Sequence, residues 1–229
     1  MNVALVLAGG AGTRLGENIP KQYIAVKGKP IIAYALEMFM QHPAVDAIQV
    51  VADAGWHEVI NMYVANSAKF RGYSKPGETR QLSIWNALGD IKEYAKADDL
   101  VIIHDAARPN LSEKFLQQCI DAAGDHDGVM PVLPMKDTVY FSEDGKKVSS
   151  LLDRSHIFAG QAPEIFRFDK YFAANAALLP ERIRMVNGST EPAILAGMDI
   201  ALTDGEEMNF KITTQQDLQR FRDLMGERE

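Results

Sequence analysis

The chain is poor in four features, and each shortage excludes a class of protein. It has one cysteine, Cys119, in 229 residues, which excludes a disulfide framework and a cysteine-based zinc site and is typical of a reducing cytoplasm. No apolar run approaches the ~20 residues that a membrane-spanning helix needs, and the Met-Asn start lacks the charged region of a signal peptide. The net charge is −7, whereas general binders of nucleic acid or membrane surfaces need a basic face. We therefore expect a cytoplasmic protein whose partners are neither nucleic acids nor membranes.

The apolar content and its periodicity indicate one α/β domain over residues 1–229. Hydrophobic residues make up 47% of the chain, which is enough for a complete core. Short apolar runs predict strands at Val3–Leu7, Ala47–Ala52, Leu100–Ile103, Gly128–Val132 and Met208–Thr214. Helical spacing predicts helices at Ile31–Phe39, Trp56–Asn66, Ser83–Tyr94, from a Ser112 cap to Ala123, and at Gln215–Met225. Because strands and helices alternate, we predict a doubly wound, mainly parallel sheet.

Residues 136–160 interrupt this alternation with a predicted β-hairpin arm. Asp144-Gly145 is a turn signal between the β-prone flanks of the segment Val139–Val148. An excursion of this length covers a site, grips another subunit or simply faces solvent, and the residues alone leave these alternatives open.

The segment Leu5–Gly16, followed by Pro20-Lys21-Gln22, is the strongest chemical signal in the sequence. An apolar strand runs into a glycine-dense loop that carries Arg14, and Lys21 follows seven residues later. Glycines bring bare backbone N–H groups close to a ligand, and the two cations would lie beside the same loop. The P-loop spacing is absent, and Leu15 stands where the dinucleotide fingerprint needs its last glycine. The segment therefore predicts a polyphosphate site, against the alternative of a ligand-free turn.

Polar groups also follow two other predicted strands, at the edge where parallel sheets place their ligands. His104-Asp105-Ala-Ala-Arg108-Pro109 follows one strand, and Pro134–Thr138 follows another. The Asp105 carboxylate suits Mg²⁺, and Arg108 suits a second anion because a guanidinium binds bidentately. The alternative for Asp105 is a turn or helix-capping aspartate.

The segment Pro76–Ser83 is a second candidate nucleotide contact. A glycine next to backbone donors, here Gly77, leaves room for the edge of a base. Two simpler interpretations stay open: Ser83 is only an early residue of a helix, and Lys211 is only an exposed strand lysine.

Eight motifs occur in one order along nearly the whole chain: Leu7-Ala-Gly-Gly-Ala-Gly-Thr-Arg14, Pro20-Lys21-Gln22-Tyr23, Gly28-Lys-Pro30, Gly77-x-x-Arg80-x-x-Ser83, His104-Asp-Ala-Ala-Arg-Pro109, Asp137-Thr138, Gly160-Gln-Ala-Pro163 and Asn209-Phe-Lys-Ile-Thr213. Their combination resembles the polyol-phosphate cytidylyltransferases, the family of the 2-C-methyl-D-erythritol 4-phosphate and ribitol-5-phosphate enzymes. The resemblance implies a Rossmann-like nucleotidyltransferase fold. It also implies transfer of CMP from CTP onto a phosphorylated polyol, with release of pyrophosphate and with Mg²⁺ or another divalent cation as cofactor.

The resemblance also implies roles for individual residues. Arg14, Lys21 and Lys211 would be catalytic, and Asp105 would lie at the metal. The CTP-binding residues would be Leu7, Ala8, Gly9, Gly10, Gly12, Thr13, Arg14, Lys21, Gly77, Glu78, Ser83 and Asp105. The acceptor-binding residues would be Asp105, Arg108, Thr138, Arg154, Thr190 and Lys211. Arg154 would enter the site of a partner subunit, which makes the 136–160 arm the dimerisation element of a homodimer.

The chain departs from the family pattern mainly near the acceptor. Ala162-Pro163-Glu164 stands where many members read Thr-Pro-Gln, and Thr190-Glu191-Pro192-Ala193 replaces Thr-Asp-Asp/Glu-Ala. The resemblance implies either methylerythritol 4-phosphate or ribitol 5-phosphate as the acceptor, and these departures leave both open. A sugar-1-phosphate nucleotidyltransferase and a nucleotide-binding regulator without turnover are the alternative functions.

Overall fold

An eight-stranded sheet forms the centre of the protein. The structure is a computed structural model that describes residues 1–10 and 19–227. The strands of these residues are β1 Asn2–Leu7, β2 Ala25–Val26, β3 Lys29–Pro30, β4 Ala47–Val51, β5 Phe70–Ser74, β6 Leu100–Asp105, β7 Gly128–Pro134, β8 Val139–Phe141, β9 Ser150–Leu152, β10 Phe158–Gly160, β11 Glu164–Arg167 and β12 Ile200–Asp204. Their α-helices are α1 Ile31–Gln41, α2 His57–Val64, α3 Arg80–Ile91, α4 Glu113–Ala123, α5 Phe168–Ala176, α6 Glu191–Leu195 and α7 Gln215–Leu224.

The main sheet is mostly parallel, as predicted. Its order is β7-β11-β6-β1-β4-β5, and β10 and β12 also pair with β7. Strand β1 lies between β6 and β4 and is parallel to both, whereas β10 and β11 run antiparallel to β7. Leu7 at the end of β1 is therefore level with Val51 of β4 and Asp105 of β6, so these strands end at the same edge.

Helices cover both faces of the sheet because alternate residues of a strand point to opposite sides. Ala4 and Val6 pack with α1, α2 and α4 in one hydrophobic cluster. Val3 and Leu5 pack with α3 and α5 in a second cluster. All four side chains are at most 1% exposed, which is why β1 is a continuous apolar run. The predicted doubly wound arrangement is confirmed.

Side-chain caps set where several helices begin. Ser112 Oγ accepts a hydrogen bond from the Phe115 backbone N–H (3.1 Å), so the predicted cap of α4 is confirmed. Helix α3 begins at Arg80, before the predicted Ser83, because Thr79 Oγ1 accepts from Leu82 N–H (3.2 Å). In the described part of the chain, no helix is both long enough and apolar enough to cross a bilayer.

The predicted strand Met208–Thr214 is wrong. The segment forms no sheet ladder within residues 1–10 and 19–227. Instead, Ile212 donates a backbone hydrogen bond to Ala107 (2.9 Å) and buries its side chain in a third cluster with Leu218 and Phe221 of α7. The segment is therefore held by packing rather than by strand pairing, and it carries Lys211 to the sheet edge.

Several short strands escape the sequence-based prediction. Strands β5, β11 and β12 have five residues or fewer, and each mixes polar with apolar side chains. Their sequences alone show little preference for strand conformation, and pairing with β4, β6 and β7 stabilises it.

The arm contains the predicted hairpin. Strand β8 pairs antiparallel with β9, so the second strand lies beyond the predicted end at Val148. The turn signal is confirmed: Asp144 Oδ1 accepts hydrogen bonds from Lys146 and Lys147 N–H (2.8 and 3.1 Å), and Gly145 has φ of +69°. Tyr140 and Leu151 on these strands are 59% and 64% exposed, so the hairpin projects from the sheet with apolar side chains uncovered.

Candidate active site

A cavity of about 490 Å³ lies at the edge where β1, β4 and β6 end. The rule that parallel sheets bind ligands beyond the carboxyl ends of their strands predicts this position. Its walls are formed by Leu7, Gly9, Gly10, Lys21, Gln22, Val51, Gly77, Glu78, Thr79, Arg80, Ser83, Asp105, Ala106, Ala107 and Lys211. Most of the predicted CTP-binding residues in the described chain therefore share one cavity.

Gln22 fixes the start of the glycine loop. Its buried side-chain amide donates to the carbonyl oxygens of Ala8 (2.6 Å) and Gly10 (2.8 Å), and Tyr23 Oη donates to Ala8 as well (3.2 Å). A Cβ at Gly9 would lie 2.7 Å from the Cβ of Pro76, so only glycine fits there. Ala8 itself is buried and does not line the cavity.

Three of the predicted CTP-binding residues, Gly12, Thr13 and Arg14, lie outside the described residues. Lys21 is described and lines the cavity together with the glycine loop. It opens a 3₁₀ turn, Lys21–Tyr23, whose next two residues are buried, so the turn holds the lysine beside Gly9 and Gly10.

Gly77 and Ser83 form another part of the cavity wall as one unit. Ser83 Oγ accepts a hydrogen bond from Gly77 N–H (2.9 Å) and donates to the Thr79 carbonyl (3.0 Å). A Cβ at Gly77 would lie 2.5 Å from the Cβ of Leu82, so a side chain there would displace the start of α3. Glu78 lies at the rim, where it forms an exposed ion pair with Arg184.

Asp105 is the centre of a charged cluster at the end of β6. Its Oδ1 lies 3.3 Å from Arg80 Nη2, and its Oδ2 lies 3.3 Å from Arg108 Nε and 3.0 Å from Lys211 Nζ. Burial alone would raise the pKa of this carboxyl, but the three cations reverse that effect and hold the pKa well below its usual range. Asp105 is therefore ionised throughout the physiological range.

Arg108 and Lys211 are brought together by the segment that follows β12. Arg108 Nη1 donates to the Asn209 carbonyl (2.8 Å), and Asn209 Nδ2 donates to the Ala162 carbonyl (2.6 Å). The Asn209 side chain is fully buried, so this hydrogen-bonded chain fixes the Arg108 guanidinium. Arg108 does not itself line the cavity; it contacts Asp105, which does.

His104 precedes Asp105 and is completely buried. Its Nε2 lies 3.0 Å from the Arg108 carbonyl, which makes Nε2 the protonated nitrogen. Burial lowers the pKa of this imidazole to about 4, so the ring is neutral at neutral pH. It supports the Asp105–Arg108 turn rather than carrying charge into the cavity.

A second carboxylate network adjoins the cluster, and sequence reasoning missed it. Arg80 Nη1 donates to Ser189 Oγ (2.6 Å), while Glu164 Oε2 accepts from Ser189 Oγ (2.5 Å) and Thr190 Oγ1 (2.7 Å). Despite burial, the carboxylates of Asp105 and Glu164 raise the pKa of Arg80. The family-like spacing Gly77-x-x-Arg80 was the signal available in the sequence. Thr190 is thereby placed next to the cluster, although it does not itself line the cavity.

Thr138 and Arg154 lie away from this cavity. Both border a separate surface depression on the arm, with Leu151, Leu152 and Asp153, and Arg154 donates a hydrogen bond to the Lys136 carbonyl. Within one protomer, the arm therefore does not bring these two residues to Asp105. Their predicted role in acceptor binding stays a prediction, which for Arg154 involves the site of a partner subunit.

Asp105 is also the candidate metal ligand. Among the residues that the structure describes, no group of three or more histidine, cysteine or acidic side chains is arranged to hold a metal ion. Mg²⁺ needs only one or two protein carboxylates when substrate phosphates complete its coordination. Both oxygens of Asp105 contact cations, so Mg²⁺ would reach this carboxylate only together with substrate phosphates that offset the local positive charge.

Comparisons with known proteins give the chain its family. A family model described as 2-C-methyl-D-erythritol 4-phosphate cytidylyltransferase matches residues 2–227. A ribitol-5-phosphate cytidylyltransferase of Lacticaseibacillus paracasei is 30% identical over 233 residues, 100% of both chains. One from Streptococcus pneumoniae is 31% identical over 225 residues, 95% of this chain and 96% of that protein.

Solved structures agree with this assignment. A crystal structure of 4-diphosphocytidyl-2C-methyl-D-erythritol synthase superposes with a TM-score of 0.82 at 25% identity, over 98% of both chains. The 2-C-methyl-D-erythritol 4-phosphate cytidylyltransferase of Francisella tularensis gives 0.79 at 27% identity, over 96% of this chain and 97% of that one. The expected Rossmann-like nucleotidyltransferase fold is confirmed. The chain belongs to the 2-C-methyl-D-erythritol 4-phosphate cytidylyltransferase family and is a cytidylyltransferase that acts on a polyol phosphate.

Proposed function

We propose that this enzyme transfers CMP from CTP onto ribitol 5-phosphate and releases pyrophosphate. The observation that carries the proposal is the convergence of the glycine loop, Lys21, Asp105 and Lys211 on one cavity. The choice of acceptor is supported by the relatives at 30–31% identity, which are named ribitol-5-phosphate cytidylyltransferases. Methylerythritol 4-phosphate is the second candidate, since the matching family model and the structural neighbours carry that name.

The two ends of the cavity suit the two substrates. The backbone of Gly9 and Gly10, with Lys21, would hold the triphosphate of CTP, and the Gly77–Ser83 wall would receive the cytosine and ribose. Lys211, which lines the cavity, would hold the phosphate of the acceptor, and Arg108, on the same oxygen of Asp105, would add positive charge from behind it. Such an arrangement places two highly charged groups side by side, which requires fixed cations between them.

The reaction needs positioning and charge neutralisation more than proton transfer. An oxygen of the acceptor phosphate attacks the α-phosphorus of CTP and forms a new P–O bond. The bond from the α-phosphorus to the bridging oxygen breaks, and its electron pair leaves with pyrophosphate. A phosphate monoester dianion is already a nucleophile, so Lys21 and Lys211 act by stabilising the added negative charge. Arg14 would contribute to the same charge stabilisation.

Asp105 would hold Mg²⁺ together with the phosphates of CTP. When bound, the ion neutralises phosphate charge and polarises the α-phosphate. Asp105 itself keeps Arg80, Arg108 and Lys211 in place, so its removal disturbs both ends of the cavity.

A substrate panel tests the function. Purified protein, CTP and Mg²⁺ are combined with ribitol 5-phosphate, methylerythritol 4-phosphate or a sugar 1-phosphate, and pyrophosphate release is measured. We expect the highest kcat/KM with ribitol 5-phosphate. A preference for methylerythritol 4-phosphate would replace the acceptor, whereas turnover only with UTP or another nucleotide and a sugar 1-phosphate would favour that related class. CTP binding without turnover on any acceptor would favour a regulator.

We also propose that the enzyme is a cytoplasmic homodimer joined through the 136–160 arm. The exposed apolar side chains of the hairpin, including Tyr140 and Leu151, support a protein partner for this surface. Arg154 would then contact the acceptor in the partner's cavity. Arg154→Ala should raise the KM for the acceptor in a protein that sediments as a dimer, and a monomeric wild-type protein would contradict the proposal.

A further inference from the structure

Glu164 places a second negative charge next to the cation cluster. The proposed transfer reaction brings negatively charged phosphates to this cluster and does not itself need a further carboxylate there. Glu164 is the first residue of β11 and pairs with Ile103 of β6, which brings it beside the end of the strand that carries Asp105. Its side chain is only 13% exposed.

The two oxygens of the Glu164 carboxylate have different surroundings. Oε2 accepts hydrogen bonds from the hydroxyl groups of Ser189 and Thr190. Oε1 accepts none from the described residues; its ion-pair contact is Arg80 Nη2 at 3.9 Å, and Oε1 is not among the buried polar atoms that lack a partner. Solvent therefore reaches Oε1, and a carboxylate oxygen with open lone pairs is a strong acceptor for a hydroxyl donor.

Charge also fixes which part of an acceptor can approach Glu164. Lys211 and Arg108 lie on Oδ2 of Asp105, and Arg80 lies between Asp105 and Glu164. A phosphate dianion is attracted to Lys211 and repelled by the Glu164 carboxylate. A polyol phosphate bound with its phosphate at Lys211 would therefore turn its neutral hydroxyl groups toward Arg80, which lines the cavity, and toward Glu164, which adjoins Arg80.

We propose that Glu164 is a specificity-determining residue that accepts a hydrogen bond at Oε1 from one hydroxyl group of the polyol. The inference rests on the proposed function and adds how the acceptor is read. A site that hydrogen-bonds a substrate hydroxyl discriminates against an analogue that lacks it, because the protein group is left without its partner. Arg80 acts with Glu164 as a positioning residue, since its guanidinium lines the cavity and lies between the carboxylates of Asp105 and Glu164.

The test compares wild-type enzyme with Glu164→Gln, a substitution that keeps the shape and removes the charge. Pyrophosphate release is measured with ribitol 5-phosphate, methylerythritol 4-phosphate and ribitol 5-phosphates that lack one hydroxyl group at a time. For Glu164→Gln we expect the KM for the natural acceptor to rise about tenfold or more, as for a lost hydrogen bond to a charged group. The KM for CTP should stay within about twofold. One deoxy analogue should be a poor substrate for wild type but nearly equal to the parent acceptor for the variant.

Two control variants separate recognition from structural support. Glu93→Gln makes the same charge change at an exposed position just beyond α3 and should match wild type in every parameter. Ser189→Ala removes a hydroxyl that donates to Oε2 and accepts from Arg80 but leaves Oε1 in place, so it should keep the discrimination against the deoxy analogue.

Three outcomes would overturn the inference: an acceptor KM that Glu164→Gln leaves within about twofold of wild type, a parallel rise in the KM for CTP, or loss of discrimination in Ser189→Ala. Wild-type protein that turns over no polyol phosphate overturns the proposed function, and the inference falls with it. Normal wild-type turnover with an unaffected Glu164→Gln variant overturns the inference alone.

Discussion

Replacing Asp105 with asparagine removes the negative charge that three cations contact, with little change in size. Arg80, Arg108 and Lys211 all lie 3.0–3.3 Å from its oxygens, and the aspartate is 8% exposed. In Asp105→Asn these cations repel one another without a compensating charge. We expect the variant to be less stable, to bind polyphosphate no more weakly than wild type, and to turn over slowly.

The expected loss of stability follows from the geometry. Removing one partner of a buried ion pair costs about 3–5 kcal/mol. The side chains of Arg80 and Lys211 are 35% and 33% exposed, so water screens part of their repulsion, and we expect the lower end, about 3 kcal/mol. For a chain of this size, that corresponds to a melting temperature lower by roughly 6–12 °C. The kcat should fall at least about 100-fold, as for the loss of a group that stabilises the transition state.

The assay is thermal unfolding with and without pyrophosphate, together with steady-state pyrophosphate release. Pyrophosphate should raise the melting temperature of Asp105→Asn more than that of wild type, because the anion supplies the missing negative charge. Asp90→Asn, at an exposed position of α3, is the control and should behave as wild type. A variant as stable as wild type that keeps its kcat would refute the assigned role of the cluster.

Four further substitutions have outcomes that the structure predicts. Lys21→Ala and Lys211→Ala should each lower kcat about 10²–10³-fold with little change in the KM for CTP, because each lysine stabilises the transition state more than the bound substrate. Steady-state pyrophosphate release measures both constants, and an unchanged kcat would contradict this role. Since burial lowers the pKa of His104 to about 4 from 6.5, the unfolded chain binds more protons between these values. The free energy of unfolding should therefore fall by about 3 kcal/mol as the pH decreases from 6.5 to 4, and urea titrations of His104→Gln should lack this loss. Asp217 completes the capping box of α7, and hydrogen bonds from Thr213 and the following residue outweigh burial and lower its pKa. Asp217→Ala should therefore lower the free energy of unfolding by about 1 kcal/mol above pH 4, and by less as acid protonates the aspartate. Equal stability of variant and wild type at neutral pH would argue against the cap.

Local patterns explain how much of the fold could be predicted from the sequence. Strands such as β1 and β6 are buried on both faces and are therefore apolar throughout, which a short window of sequence reveals. Strand β11 begins with a glutamate and pairs antiparallel between β6 and β7, so its identity depends on neighbours far away in the chain. The segment Met208–Thr214 has the composition of a strand, but burial of Ile212 against α7 decides its conformation.

The same distinction applies to the site. Asp105 and the glycine loop were predictable because both follow strands that end at one edge of the sheet. The hydrogen bonds that connect Arg80, Ser189 and Glu164 join three separate elements, and no periodicity relates such residues. Gln22 is a similar case, since only the folded chain shows that its amide holds two carbonyl groups of the loop.

The central claim is that the phosphate of the acceptor attacks the α-phosphorus of CTP. The transfer of an oxygen label tests this claim most directly. Ribitol 5-phosphate with ¹⁸O in its phosphate is converted with unlabelled CTP, and the products are analysed by mass spectrometry and ³¹P NMR. We predict that all of the label stays in the cytidine diphosphate–polyol product, including the bridging oxygen, and that pyrophosphate carries none. Label in pyrophosphate, or release of free CMP without a joined product, would contradict the proposed reaction.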